Sequence, residues 1–247
     1  MKEMKHLLLV ALVSLLFVSC QEEFPRLGAT GTLVFESIEV AASSNETLSR
    51  SIDTDLMVDI CQDGKVVELD GQQLHFTDGE YPATLYLPAG TYQVKAYNET
   101  YLNASKWTNE ELGDKVYYIE ENVQVSEGKV AKMNLQVPMA NIGVTFSLPE
   151  NFNASFKDYS FTITKADEAA SAEATEESAT VRTVTITKPH EVVYMNAEAF
   201  KVTLKATNAD DEAVEASYTH SEVAAGTIYT VAYEVAQTVS SRVLTNP

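Results

Sequence analysis

The sequence is poor in the residues that supply most enzyme chemistry and metal binding. Its 247 residues include two cysteines, four histidines, one tryptophan and ten glycines. A catalytic thiol needs a histidine close to it in the fold, and no spacing pairs His75, His190 or His220 with Cys61. The glycines fall at turns, and no phosphate loop, zinc-ligand spacing, hydrolase elbow or calcium-loop frame is present. We therefore predict no enzyme, no cofactor and no metal, and we expect Cys61 to be a small buried hydrophobic residue.

Basic residues are scarce as well. The chain has 17 lysines and arginines against 36 aspartates and glutamates, a formal net charge of −19. A charge of this sign repels phosphate backbones and anionic lipid surfaces. The composition therefore argues against a nucleic-acid partner and favours a protein that stays soluble in a crowded exterior.

The one long apolar run lies at the N-terminus and is too short to span a bilayer. Residues 7–18, with one polar residue among them, would extend about 18 Å as a helix, whereas the hydrocarbon core is about 30 Å thick. Lys2 and Lys5 precede this run and Ser19 follows it. This arrangement is typical of a secretory signal peptide, which we place at residues 1–19.

The signal ends at a cysteine. The segment FVSC, residues 17–20, resembles a bacterial lipobox, in which the thiol is lipidated and the chain is cut before it. Several acyl chains on one residue make a stable anchor, at about 0.8 kcal/mol per buried methylene. We predict that Cys20 is lipidated and attached to outer-membrane lipid, with residues 20–27 as anchor and tether. Ordinary cleavage that leaves a free Cys20 is the alternative.

Acidic residues follow this cysteine almost directly. Gln21, Glu22 and Glu23 resemble the surface-export signal of Bacteroidetes lipoproteins. We therefore predict a lipid-anchored protein on the cell surface of the outer membrane, and a periplasm-facing protein is the alternative.

A period of two dominates the rest of the chain. In residues 130–137 the apolar side chains alternate with polar ones, and residues 142–148, 159–163, 202–206 and 229–235 repeat the pattern. Strict alternation predicts strands with one buried and one solvated face. Such strands are typical of antiparallel sheets that pack as a sandwich.

The first predicted strand, residues 32–40, changes phase along its length. Leu33 and Phe35 share one phase, whereas Ile38 and Val40 take the other. A β-bulge near Glu36 would account for the shift.

Turn signals and two polar segments separate the strands. Asp63-Gly64 and Asp70-Gly71 are turn dipeptides, because Asp tolerates and Gly prefers a positive φ. Residues 43–54 are polar, and residues 166–180 are acidic and lack large apolar anchors. We predict that both segments are loops that bury little surface.

The chain divides most naturally at residues 138–141. Each side then holds about seven short strands, enough for one immunoglobulin-sized sandwich. We predict two tandem antiparallel β-sandwich domains, residues 28–138 and 139–247. A faint echo between LPAGTYQVKAY (residues 87–97) and AAGTIYTVAY (residues 224–233) suggests an internal duplication.

Four segments carry a resemblance to a family. LPAGTYQVKAY, VSEGKVAKMNLQVPMANIGVTF, FKDYSFTIT and AAGTIYTVAYEV resemble an uncharacterised family of surface lipoproteins from gut Bacteroidetes. That family is similar in outline to the fimbrillins, which build surface pili from paired transthyretin-like β-sandwiches. The resemblance implies an all-β fold and a fimbrillin-like role in cell adhesion.

The fimbrillin resemblance also implies proteolytic processing. Fimbrillins lose a first strand by cleavage after a basic residue, and a strand of the next subunit fills the groove. Arg50, or else Arg26, would be the site here, with an ordinary exposed arginine as the alternative. Residues 235–247 do not resemble a donor strand, which favours an anchored or capping subunit over a shaft subunit.

One segment points to sugar binding. Tyr97, Tyr101 and Trp107 cluster in YNETYLNASKWTNEE, where aromatic faces could stack on sugar rings and asparagines could bind hydroxyls. The alternative for Trp107 is a plug at the end of a sandwich. The sequence thus favours a structural, adhesive or pilus-assembly protein with pilus subunits as partners. A glycan-binding surface lipoprotein is the second hypothesis, and an enzyme is a distant third.

Overall fold

The computed structural model describes residues 29–41, 56–77, 79–108, 111–166, 184–186, 191–237 and 242–245. Regular structure in these residues is almost entirely β. The strands are β1 (Thr30–Val40), β2 (Met57–Gln62), β3 (Lys65–Val66), β4 (Glu68–Leu69), β5 (Gln72–Gln73), β6 (His75–Phe76), β7 (Thr84–Pro88), β8 (Gly90–Tyr97), β9 (Tyr118–Val125), β10 (Val130–Val137), β11 (Ile142–Ser147), β12 (Phe156–Lys165), β13 (Val184–Ile186), β14 (Val193–Met195), β15 (Phe200–Asn208), β16 (Ala213–His220), β17 (Ile228–Ala232), β18 (Glu234–Gln237) and β19 (Arg242–Thr245). The helices are α1 (Glu99–Asn103), a 3₁₀ turn (Ala104–Lys106) and α2 (Phe152–Ser155). Within the described ranges, no helix has the length and apolar character needed to cross a membrane.

The first half of the chain is a sandwich of two sheets. One sheet has the strand order β10-β1-β7, and the other has the order β3-β2-β8-β9 with β6 also paired to β2. The inward side chains of both sheets form one apolar cluster, as the alternation predicts. Its fully buried members are Leu33, Val58, Ile60, Leu87, Val94, Ala96, Val125, Leu135 and Val137.

The second half repeats this arrangement. The sheet β14-β11-β17 packs against the sheet β13-β12-β15-β16. Phe146 and Phe161 stack across the interface with ring centroids 4.1 Å apart. The all-β sandwich fold predicted from the sequence is therefore confirmed.

The two apolar clusters fall on either side of residues 138–141. The buried members of one cluster end at Val137 and those of the other begin at Ile142, although the half-buried Leu112 packs against the second cluster. Whether residues 28–138 and 139–247 are separate domains stays a prediction, because each cluster shows a core and not an independently folding unit.

Local features of the sequence appear where they were expected. The pairing of β1 with β10 shifts register between Phe35 and Ser37, which confirms the bulge near Glu36. Asp63 and Asp70 have positive φ angles of 52° and 51°, as the two turn dipeptides require.

Strand direction adds a feature that alternation does not reveal. Most strand pairs are antiparallel, but β1 runs parallel to β10 and β11 runs parallel to β17. In each half, the first strand is thus paired with a strand that comes late in that half: β1 with β10, and β11 with β17. The predicted antiparallel arrangement therefore holds for most strand pairs and is wrong for these two, because period-two patterning defines the faces of a strand and not its direction.

Hydrogen bonds identify the equivalent residues of the two halves. The Gly128 amide donates to the Thr30 carbonyl at 2.9 Å, and the Gly226 amide donates to the Asn141 carbonyl at 2.9 Å. The turn at Gly226 therefore corresponds to the turn at Gly128, and not to Gly90 as the sequence echo suggested. The echo paired segments that occupy different places in the two sandwiches.

Several predicted features lie outside the described residues. These are the signal peptide, Cys20, Arg26, Arg50 and most of the two polar segments. They stay predictions. At the C-terminal end the structure pairs β18 with β19, so this part of the chain contains a strand that its polar sequence did not indicate.

Candidate functional site

A row of ionisable side chains crosses the outer face of the β2-β8-β9 sheet. His75 on β6 lies opposite Asp59 on β2, Asp59 lies opposite Lys95 on β8, and Lys95 lies opposite Glu120 on β9. Residues directly opposite on adjacent strands point to the same face. We call these four residues the charged row.

One carboxylate of the row is buried, and each of its oxygens has a partner. Asp59 is 9% exposed. Its Oδ1 lies 2.6 Å from Nδ1 of His75, and its Oδ2 accepts a hydrogen bond of 2.8 Å from the Tyr97 hydroxyl. An ionised carboxylate only accepts hydrogen bonds, so this contact places the His75 proton on Nδ1. A buried carboxylate requires such partners to offset its lost hydration.

The second carboxylate is more open. Glu120 Oε2 accepts a hydrogen bond of 2.9 Å from the Tyr118 hydroxyl and lies 3.4 Å from the ammonium of Lys95. The side chains of Lys95 and Glu120 are 28% and 34% exposed. Solvent or a ligand can therefore reach this pair.

The two tyrosines act as fixed donors. Burial, together with hydrogen bonds to Asp59 and Glu120 respectively, raises the pKa of both Tyr97 and Tyr118 well above the usual tyrosine range. Their hydroxyls therefore remain protonated at neutral pH and hold the carboxylates in place.

A short helix brings a third tyrosine to this face. Asn98 caps α1, and its Oδ1 accepts from the amides of Tyr101 (3.3 Å) and Tyr117 (3.0 Å). Its side-chain amide donates to the Lys115 carbonyl at 2.8 Å. This helix was not predicted from the sequence, although an asparagine followed by an acidic residue is a typical helix start.

Tyr101 is the exposed member of a three-tyrosine cluster. Its ring stacks on Tyr118 with centroids 4.4 Å apart and planes at 10°, and it lies 5.4 Å from the ring of Tyr97. Tyr101 is 40% exposed, whereas Tyr97 is 6% exposed. Tyr118 stacks on one face of the Tyr101 ring, and Tyr101 remains 40% exposed as a whole.

The structure places the third predicted sugar contact elsewhere. The half-buried ring of Trp107 lies over Gly113, where a Cβ atom would come within 2.8 Å of the ring atom Cζ3. The same Cβ position is 2.9 Å from the carbonyl of Tyr194 on β14. Tyr97 and Tyr101 thus come together at the charged row, while Trp107 packs where the two halves of the chain meet.

Cys61 lies on the same strand as Asp59 and is buried. Burial raises the pKa of its thiol, which keeps it neutral and unreactive. In the part of the chain that the structure describes, no three His, Cys, Asp or Glu side chains are grouped as metal ligands.

The chain is similar in fold to several solved structures, and its sequence matches one family model. A search of the curated proteins finds no match. A proposed cell adhesion protein of Parabacteroides distasonis is similar at a TM-score of 0.49 and 8% identity, over 83% of this chain and 88% of that one. Proposed cell adhesion proteins of Bacteroides uniformis (TM-score 0.46, 10% identity, 89% and 98% covered) and Bacteroides fragilis (0.38, 13%, 88% and 97%) are also similar. A family model described as a domain of unknown function (DUF4493) matches residues 29–245, and the chain belongs to that family.

Proposed function

We propose that this protein is a lipid-anchored, non-enzymatic protein of the outer-membrane surface with an adhesive or pilus-assembly role. In this proposal β1 is an exchangeable strand, and pilus subunits are the partners. The observation on which it rests is the place of β1 in its sheet. The solved structures named above are described as proposed cell adhesion proteins, and that role is extended to this chain only as part of the proposal.

β1 is paired on both sides. It is antiparallel to β7 and parallel to β10, and Leu33, Phe35 and Ile38 lie in the core. Departure of β1 would expose two strand edges with an apolar groove between them. Such edges recruit a replacement strand.

The place of Arg50 in the sequence would allow β1 to leave the sheet after proteolytic cleavage. Arg50 lies between β1 and β2 in the sequence, so cleavage after it would leave β1 held by noncovalent contacts alone. The equivalent strand of the second half, β11, follows β10 after only residues 138–141. A cut at Arg50 would therefore free the first strand of one half and leave the other half intact.

The test is strand exchange in the intact folded protein. A specific protease site replaces the residues around Arg50, the purified chain is cut, and a fluorescent peptide copying residues 30–42 is added. We expect the peptide to co-elute with the protein in size-exclusion chromatography after the cut and not before it.

Two peptide variants provide a matched control. Leu33→Lys with Phe35→Lys places charge on the inward face and should abolish uptake. Thr32→Lys with Val34→Lys places charge on the outward face and should preserve it. Equal uptake of both variants, or no uptake of the natural peptide by the cut protein, would remove the basis for strand exchange.

The anchor is tested separately. If Cys20 carries acyl chains, the wild-type protein expressed in its host should partition into the detergent phase of a Triton X-114 separation. Cys20→Ala should remain in the aqueous phase or keep its signal peptide. A wild type found in the aqueous phase would contradict lipidation.

A further inference from the structure

We infer that the outer face formed by the charged row and Tyr101 is a binding site for neutral oligosaccharides. Tyr101, Lys95, Glu120 and His75 would contact the sugar, and Tyr118 and the buried Asp59 would position them. The inference does not depend on exchange of β1. It supplies a ligand class for the adhesive role.

The ring of Tyr101 offers an apolar surface for a sugar ring. Tyr118 stacks beneath it at 4.4 Å and fixes its plane. The C–H face of a pyranose is apolar, and an aromatic ring that is already held in place loses little conformational entropy when a ligand covers it. The exposed part of Tyr101 would thus provide the stacking half of a sugar site.

The charged row offers hydrogen-bonding groups for hydroxyls. A carboxylate has about four acceptor sites, and in the described residues Glu120 uses two of them, for Tyr118 and Lys95. The Lys95 ammonium has three donors. The side chain of His75 is 40% exposed, and its Nδ1 is committed to Asp59, so Nε2 is the ring nitrogen that can face a ligand.

The stacking and polar parts of the site share one residue. Tyr118 lies beneath the Tyr101 ring and also donates its hydroxyl to Glu120. This connection fixes the distance between the aromatic face and the carboxylate. A preorganised arrangement of this kind reduces the entropy lost on binding.

The negative charge of the site and of the whole chain favours neutral over acidic sugars. The site contains two carboxylates, Asp59 and Glu120, and one lysine, and the whole chain has a net charge of −19. Uronate-rich or sulfated polysaccharides would be repelled. Neutral sugars, whose hydroxyls donate to carboxylates without a charge penalty, fit the site better.

The experiment is affinity electrophoresis of the purified full-length protein in native gels. The gels contain xylan, galactomannan, starch or laminarin as neutral probes, with polygalacturonate and dextran sulfate as acidic comparators. We expect at least one neutral polysaccharide to retard the wild type and neither acidic one to do so. Tyr101→Ala should weaken the retarding interaction at least tenfold, and Glu120→Gln should weaken it several-fold.

Tyr86 provides the matched control. It is 70% exposed and lies on β7, in the opposite sheet of the same sandwich. Tyr86→Ala should bind as the wild type does, and thermal melting should show that all three variants are folded. The site is refuted if no neutral probe retards the wild type, if an acidic probe is preferred, or if Tyr86→Ala loses as much affinity as Tyr101→Ala. Peptide uptake by the cut Tyr101→Ala protein should be normal, which separates this result from the strand-exchange test.

Discussion

Replacing Gly31 with alanine is expected to lower the free energy of unfolding by about 1 to 3 kcal/mol and to weaken the hold on β1. A Cβ at Gly31 would overlap the carbonyl oxygen of Ser126 and lie 2.8 Å from Cγ1 of Val125. Backbone cannot move aside as a flexible side chain can. The overlap lies beside the hydrogen bonds of Thr30 and Thr32 to the β9–β10 turn, so these bonds should break as well.

Chemical denaturation of the uncut protein measures the first effect, with Thr30→Ala as the control. The Thr30 side chain is exposed, and its carbonyl bond to the Gly128 amide does not depend on the side chain. In the cut protein, β1 bearing Gly31→Ala should exchange for the natural peptide faster than the wild-type strand does. Unchanged stability together with unchanged exchange would show that the turn at Ser126 yields freely.

Local patterning was sufficient to predict the elements that form the sandwich. Met133, Leu135 and Val137 on β10 are buried, as their alternation predicts. The phase change between Phe35 and Ile38 gave the bulge in β1. Both features depend on which face of a strand is apolar, and that information is present in a few consecutive residues.

Long-range pairing was not predictable in the same way. The paired residues of β1 and β10 are more than ninety positions apart in the sequence, and the pairing of Thr32 with Val130 leaves no trace in either segment alone. The internal echo aligned Gly90 with Gly226, because a glycine turn before an aromatic strand recurs at non-equivalent places. Hydrogen bonds to the turns, and not residue similarity, revealed the correct repeat.

The candidate site likewise contains one part that could be predicted from local sequence and one part that depends on long-range strand pairing. Tyr97 and Tyr101 are four residues apart, so their proximity could be predicted from one short segment. Asp59, His75 and Glu120 reach the same face only through pairing of β2, β6, β8 and β9. Their sequence positions have no spacing that links them.

One asparagine joins the two halves of the chain. Asn141 is 3% exposed. Its Oδ1 accepts from the Val116 amide at 3.0 Å, and its Nδ2 donates to the Asp114 carbonyl at 2.9 Å. Its own carbonyl accepts from Gly226 at 2.9 Å, at the turn before β17. Asn141 therefore ties the segment before β9 to the second sandwich.

Asn141→Ala is expected to lower the free energy of unfolding by about 2 to 6 kcal/mol, because two backbone groups lose their partners at a cost of about 1 to 3 kcal/mol each. The change removes no large apolar side chain, so both cores should persist. Hydrogen exchange then distinguishes a loosened junction from general destabilisation: the Val116 amide should exchange quickly, while the Val144 amide on β11 should remain protected.

Asn103→Ala, at an exposed position of α1, is the control and should change stability by less than about 0.5 kcal/mol. A Val116 amide that stays protected in Asn141→Ala would mean that the remaining bonds of this segment, such as the 2.7 Å bond from the Tyr194 amide to the Leu112 carbonyl, hold the junction without Asn141.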